Sequence, residues 1–156
     1  MSSQILSRWI PSASFQTSSH KVVDVTKITT HDNSNPLFYV EYAYARIYGI
    51  LNKNNFCLNN NHQFINEEDE SIIEIVNELS LYDQTLWNVI KNKETQILNN
   101  YLYKLANKIH EFYNKVNISN LSNENRKNNL LHILYATSVI LKNGLKLLGI
   151  NAYEKM

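Results

Sequence analysis

From Ile97 to Val116, the apolar residues Ile97, Leu98, Leu102, Leu105, Ile109, Phe112 and Val116 recur at three- and four-residue spacing without a break. Only an α-helix returns positions so spaced to one face. A long buried face of this kind needs other helices to cover it. Three glycines and two prolines in 156 residues leave too few turn residues for an antiparallel β architecture. The chain therefore reads as all-α, an antiparallel helical bundle of about five helices joined by polar loops.

The elements can be placed from their start signals and apolar faces. Asn35 can cap a helix and Pro36 suits its first turn, where no amide hydrogen is needed. This first helix is predicted to run to about Lys53. Asn52 to Asn66, with Asn59, Asn60 and Asn61 consecutive, reads as a polar loop with no need for order. A second helix is predicted from near Asn66, with Ile72, Ile73, Ile75, Val76 and Leu79 inward. Ser80 can cap a third, with Asp83 three residues later and Leu81, Leu86, Trp87, Val89 and Ile90 inward. The fourth spans about Glu94 to Asn117. The fifth starts near Ser122 or Asn123, packs Leu130, Leu131, Leu134, Ile140 and Leu141, and stops at Gly144 or Gly149. Residues 1–34 show no sustained period and read as an irregular segment before a helical domain at 35–156. Val22, Val23, Val25 and Ile28 fit a short strand or a helical turn equally.

Net charge is +1, but its distribution is uneven. Asn54 to Ile90 contains no Lys or Arg, and carries Glu67, Glu68, Asp69, Glu70, Glu74, Glu78 and Asp83. From Lys91 onward there are ten basic residues against four acidic ones. A basic half suits a polyanionic partner, although ordinary solvated faces give the same count. The single cysteine, Cys57, excludes an internal disulfide and a cysteine-cluster metal site. No apolar run reaches membrane-spanning length. The five histidines form no metal-ligand pattern, and His110 and His132 fit packing or hydrogen bonding inside helices. No phosphate-binding glycine loop and no nucleophile motif occurs.

Recognition chemistry is better supplied. Tyr39, Tyr42 and Arg46 fall at i, i+3 and i+7, on one face of the first helix. Two rings and a guanidinium on one stripe can stack unpaired bases and grip phosphate. A core stripe beside an exposed surface arginine is the ordinary alternative for a helix taken alone.

Three segments are more specific. Asn35-Pro36-Leu37-Phe38-Tyr39-Val40-Glu41-Tyr42-Ala43-Tyr44-Ala45-Arg46 resembles NPxxYVQYAHAR, which opens the anticodon-binding domain of arginyl-tRNA synthetases. Tyr101 to Asn114, YLYKLANKIHEFYN, is similar to that family's YLxxLAxxFHxFYN. Asn143-Gly144-Leu145-Lys146-Leu147-Leu148-Gly149-Ile150 and the final Glu154-Lys155-Met156 resemble its closing NGLxLLGIxxPExM. The three lie in order and in register. Three positions depart from the pattern: Tyr44 stands at the usual histidine, Glu41 at a frequent glutamine, and Tyr153 at the usual proline. In the N-terminal segment, Ile5-Leu6-Ser7-Arg8 is similar to the end of the family's catalytic core.

The resemblance implies the helical anticodon-binding domain of a class I synthetase and a pocket for the anticodon of arginine tRNA. By position, Tyr39, Tyr42, Arg46, Tyr113 and Met156 would line that pocket. Lys104, Lys108 and Lys115 on the fourth helix would meet phosphates. HIGH-like and KMSKS-like signatures are absent from this sequence, so it should not activate arginine alone. ATP and Mg would belong to a catalytic core partnering the domain in cis or in trans. No cofactor or metal is expected in this chain, and neither membrane nor DNA is an expected partner. The expected compartment is the cytoplasm, or an organelle. A free-standing helical RNA-binding module and a purely structural helical protein are the alternatives.

Overall fold

A computed structural model describes residues 36–154. Residues 1–34, the Asn35 cap and Met156 lie outside the described residues. Five helices follow: α1 Pro36–Lys53, α2 Glu70–Ser80, α3 Tyr82–Asn92, α4 Gln96–Lys115 and α5 Glu124–Leu147, with one 3₁₀ turn at Ile118–Asn120 before α5. No strand occurs among the described residues. The all-helical class expected from the spacing holds.

The long periodic stretch forms the central helix. α4 buries Leu98, Leu102, Leu105, Ile109 and Phe112 and contacts each of the other four helices. α1 supplies Leu37, Val40, Ala43, Tyr44, Ile47 and Leu51, and α5 supplies Leu130, Leu131, Leu134, Leu141 and Leu145. α2 is fastened to α4 by Glu78–Lys104 at 2.9 Å and Glu74–Lys108 at 3.0 Å. The pairs run in opposite order along the two helices, so α2 and α4 are antiparallel. Tyr101 adds a buried hydroxyl that donates to the Glu78 carbonyl at 3.0 Å, and burial keeps that phenol protonated.

Several local expectations change; in α2, Ile73 and Val76, expected inward, are 43% and 45% exposed. α2 begins at Glu70, not near Asn66. Asp69 is its N-cap and accepts from the Ser71 hydroxyl and the Ser71 amide, and those bonds hold its carboxyl below the usual range. The residues before Asp69 are committed elsewhere. Ile65 and Glu67 bond to Asn129 of α5, and Glu67 also pairs with Arg126. Those partners compete with the bonds a helix would need there. Ser80 does not cap α3 either. It is the last residue of α2, and its hydroxyl donates to the Asn77 carbonyl at 2.7 Å. α3 also faces differently. Leu81, Trp87 and Ile90 are 47%, 62% and 69% exposed, while Leu86 and Val89 are partly covered and Thr85 is buried. α3 packs on α4 and only the end of α2, so a narrow stripe suffices to close it.

The asparagine-rich connection is ordered. Asn129, fully buried, accepts from the Ile65 amide at 3.2 Å and donates to Glu67 Oε1 at 2.8 Å. The Asn59 amide donates to His132 Nε2 at 3.3 Å, and the His62 ring stacks on His132 at 3.9 Å. α5 thus supplies the side chains that hold the loop.

Gly149, at φ 77°, ends α5 region by turning the chain into the left-handed conformation. Gly144 has a different task. A Cβ there would lie 2.5 Å from a Leu102 methyl, so it lets α5 approach α4 closely. Gly144→Ala is expected to lower stability by about 1–2 kcal/mol in denaturant melts, because overpacking outweighs the helix-propensity gain. A melt unchanged or improved would show that Leu102 yields without cost.

Candidate nucleic-acid interface

α1 and α4 lie side by side and run in the same direction. Tyr39 meets Tyr103, with ring centroids 5.2 Å apart, and Arg46 meets Tyr113 further along both helices. The α1 stripe Tyr39, Tyr42 and Arg46 therefore faces an α4 stripe of Tyr103, His110 and Tyr113. Spacing makes this meeting possible: 103, 106, 110 and 113 repeat at three and four residues, matching 39, 42 and 46. The small, buried Ala106 occupies the remaining position.

His110 joins the two stripes. Its ring lies 4.2 Å from Tyr39 and 5.7 Å from Tyr42, centroid to centroid. Its Nε2 is 3.1 Å from the Tyr39 carbonyl oxygen, and its Nδ1 is 3.0 Å from Arg46 Nη1. Burial, reinforced by the Arg46 charge, pushes the imidazole below its ordinary pKa, against the pull of the Tyr39 carbonyl. The packing or hydrogen-bonding role expected for His110 is the one it plays.

Arg46 is half-buried rather than the exposed residue expected of a surface stripe. Its Nη2 donates to the Tyr42 hydroxyl at 3.1 Å. Its central carbon lies 4.3 Å from the Tyr42 ring centroid and 4.4 Å from that of Tyr113. Cation–π contact of this kind favours a planar guanidinium over an ammonium. Arg46 has five donors, and the two used here leave others for a ligand. Tyr113 is 43% exposed and Tyr103 39%, and Phe38 stacks on Tyr42 at 5.9 Å. The result is an accessible aromatic surface with one cation set into it.

The lysines are placed differently. Lys104 and Lys108 turn toward α2, where Glu78 and Glu74 hold them. Lys115 is exposed at the end of α4. The acidic and basic halves of the sequence thus neutralise one another in part, through these pairs and Arg126–Glu67 at 3.2 Å. Tyr44 is buried on another flank of α1, packed against Tyr48. The tail reaches that flank: Ile150 is buried, and Glu154 bonds to the Tyr48 hydroxyl, which raises its pKa. No group of side chains suited to a metal occurs among the described residues. None of their helices is long and apolar enough to cross a membrane.

The model of the DALR anticodon binding domain matches residues 40–156. The chain belongs to this family. Arg46, Tyr42, Tyr113 and Met156 fall inside the DALR match, and Tyr39 immediately precedes it. Among curated relatives, the arginine–tRNA ligase of Ureaplasma parvum is 34% identical over 149 residues, covering 96% of this chain and 26% of that protein. That of Malacoplasma penetrans is 37% identical over 139 residues, covering 86% of this chain and 24% of that protein. The DALR chain described here therefore spans about a quarter of the length of the curated relatives it matches. A crystal structure from Campylobacter jejuni assigned as an arginyl-tRNA synthetase is 27% identical, with a TM-score of 0.79 over 96% of this chain and 32% of that one. Thermus thermophilus arginyl-tRNA synthetase shares the fold at 21% identity and a TM-score of 0.73, over 85% of this chain and 23% of that one.

Of the sequence-predicted site residues, Tyr39, Tyr42, Arg46 and Tyr113 come together. Lys104 and Lys108 lie on the α2 side of α4, away from them. Tyr103 and His110 were not singled out as site residues from sequence. Their membership is visible only when the spacing of the α4 stripe is laid against that of α1.

Proposed function

We propose that this DALR domain binds the anticodon loop of arginine tRNA on behalf of a synthetase catalytic core that attaches arginine to the 3′ end. The observation that supports this most directly is the Arg46 guanidinium lying against two tyrosine rings on an accessible aromatic surface. Flat rings stack on bases splayed from a loop, and the cation supplies donors to base edges or phosphate. In this reading Tyr39, Tyr42, Arg46, Tyr113 and Met156 line the base pocket. Lys115 reaches the backbone phosphates, and Lys104 and Lys108 do so only by exchanging their carboxylate partners. ATP and Mg act in the catalytic core, and the working compartment is the one where tRNA is charged, the cytoplasm in bacterial relatives.

The domain's role is positional. Holding the anticodon helps aminoacylation by presenting the distant 3′ end in a reactive geometry. The test is fluorescence anisotropy of the full chain with an arginine-tRNA anticodon stem-loop, beside one altered at the middle anticodon base. Tighter binding of the first is expected, by about tenfold or more, the worth of one well-placed pair of hydrogen bonds. Equal binding would sink the anticodon reading.

A further inference from the structure

A neutral imidazole carries one N–H and one lone pair, and at His110 both are committed. The Tyr39 carbonyl oxygen, 3.1 Å from Nε2, can only accept, so Nε2 carries the proton. Arg46 Nη1, 3.0 Å from Nδ1, can only donate, so Nδ1 is the acceptor. The two partners fix one tautomer of a neutral ring. That ring is buried, and the guanidinium it receives is the one that lies against Tyr42 and Tyr113.

Resting on the tRNA-binding reading, we propose that His110 is a positioning residue: its neutral ring aims Arg46 at RNA, and a proton taken up at Nδ1 releases Arg46 and weakens binding. With Nδ1 protonated, an N–H faces an N–H, and two positive charges stand at hydrogen-bonding distance. The guanidinium must then leave its seat over the rings. From α1 the groups facing His110 are Tyr39, Tyr42 and Arg46. On its own helix, Tyr103, Glu111 and Tyr113 are the neighbouring titratable groups, and Tyr103 and Glu111 act on the same Tyr39 hydroxyl. Among the described residues no carboxylate pairs with the ring, so none of them compensates the added charge.

The sign follows from the direction of the shift. Burial and Arg46 lower the pKa of His110 in the folded protein. The arrangement is therefore complete above the ordinary histidine pKa of about 6.5. It is lost as pH falls through the depressed value. Protonation of other histidines would add positive charge and strengthen attraction to a polyanion. A loss of binding on acidification therefore runs against the general electrostatic trend and isolates His110.

The experiment pairs two measurements on the full chain. Anisotropy with the arginine-tRNA anticodon stem-loop is followed from about pH 7.5 to about pH 5.5, for wild type and His110→Gln. In the free protein, the side-chain N–H signals of Arg46 are followed by NMR over the same range. Wild type should lose affinity progressively over this range, by less than about tenfold, the ceiling that a pKa below 6.5 sets at pH 5.5. His110→Gln should bind more weakly at the upper pH and show no such loss. The Arg46 signals should move away from their ring-shifted position as His110 titrates. An Arg46 signal that stays put while His110 titrates would overturn the proposal, whether or not His110→Gln folds. A variant with the wild-type pH loss would overturn it too. Arg46 signals that move in a chain binding no stem-loop at any pH would uphold the positioning and remove the tRNA reading instead.

Discussion

Asn129→Leu is expected to lower stability by about 3 kcal/mol, near the upper end for single substitutions. The leucine preserves bulk, but the Ile65 amide loses its acceptor and Glu67 loses a donor at 2.8 Å. Glu67 keeps Arg126, so the loss falls short of a stranded charge. A change of this size should shift the thermal midpoint by about 10 °C in a domain of this length. Because the network lies between the 54–69 connection and α5, the α1–α4 surface should remain intact. Below the midpoint, stem-loop affinity should stay within about twofold of wild type, as expected for separated sites. A midpoint that hardly moves would mean that water replaces the asparagine and that the connection is not held by it.

Arg46→Ala is expected to reduce binding of the arginine-tRNA stem-loop by about 30- to 100-fold, the value of a charge-assisted hydrogen bond together with some stacking order. It should also cost about 1 kcal/mol of stability, since the Tyr42 hydroxyl and His110 Nδ1 each lose a partner. Arg46→Lys separates the two effects. An ammonium retains charge but cannot lie flat against two rings while bonding to both His110 and Tyr42. The lysine variant should therefore bind nearly as poorly as alanine at moderate salt. If lysine restores wild-type affinity, the site reads charge alone and the ring contacts are incidental. Anisotropy titrations with parallel melts decide between these outcomes.

Much of the architecture was legible in the chain. The unbroken period from Ile97 to Val116 marked the central helix because every turn repeats the same requirement for burial. α1 was equally clear from the Asn35-Pro36 start signal and the Tyr39, Tyr42 and Arg46 stripe. α3 misled because its apolar residues exceed what its shallow contact with α4 can cover, leaving Trp87 and Ile90 outside. The asparagine-rich connection misled for the opposite reason. Its order comes from Asn129 and His132, which lie more than sixty positions away along the chain. At the site, the α1 stripe and Tyr113 could be read from spacing and resemblance. The lysines could not, since their partners Glu74 and Glu78 belong to a helix whose placement no local pattern reveals. His110 sits between these cases: its type was visible, but its two partners were a matter of packing.

The bond between Arg46 and His110 joins residues 64 positions apart. A ribosome adding about 5–20 residues per second makes the second of them several seconds after the first. Throughout that interval α1 exists with its tyrosine stripe unanswered, and the last helix needed to complete the core is later still. The surface is therefore absent from nascent chains that stop short of α4, and the core beneath it is incomplete until α5 has been made. A peptide carrying α1 alone, or α4 alone, holds half of each contact made between the two helices and should not inherit a share of the whole domain's selectivity.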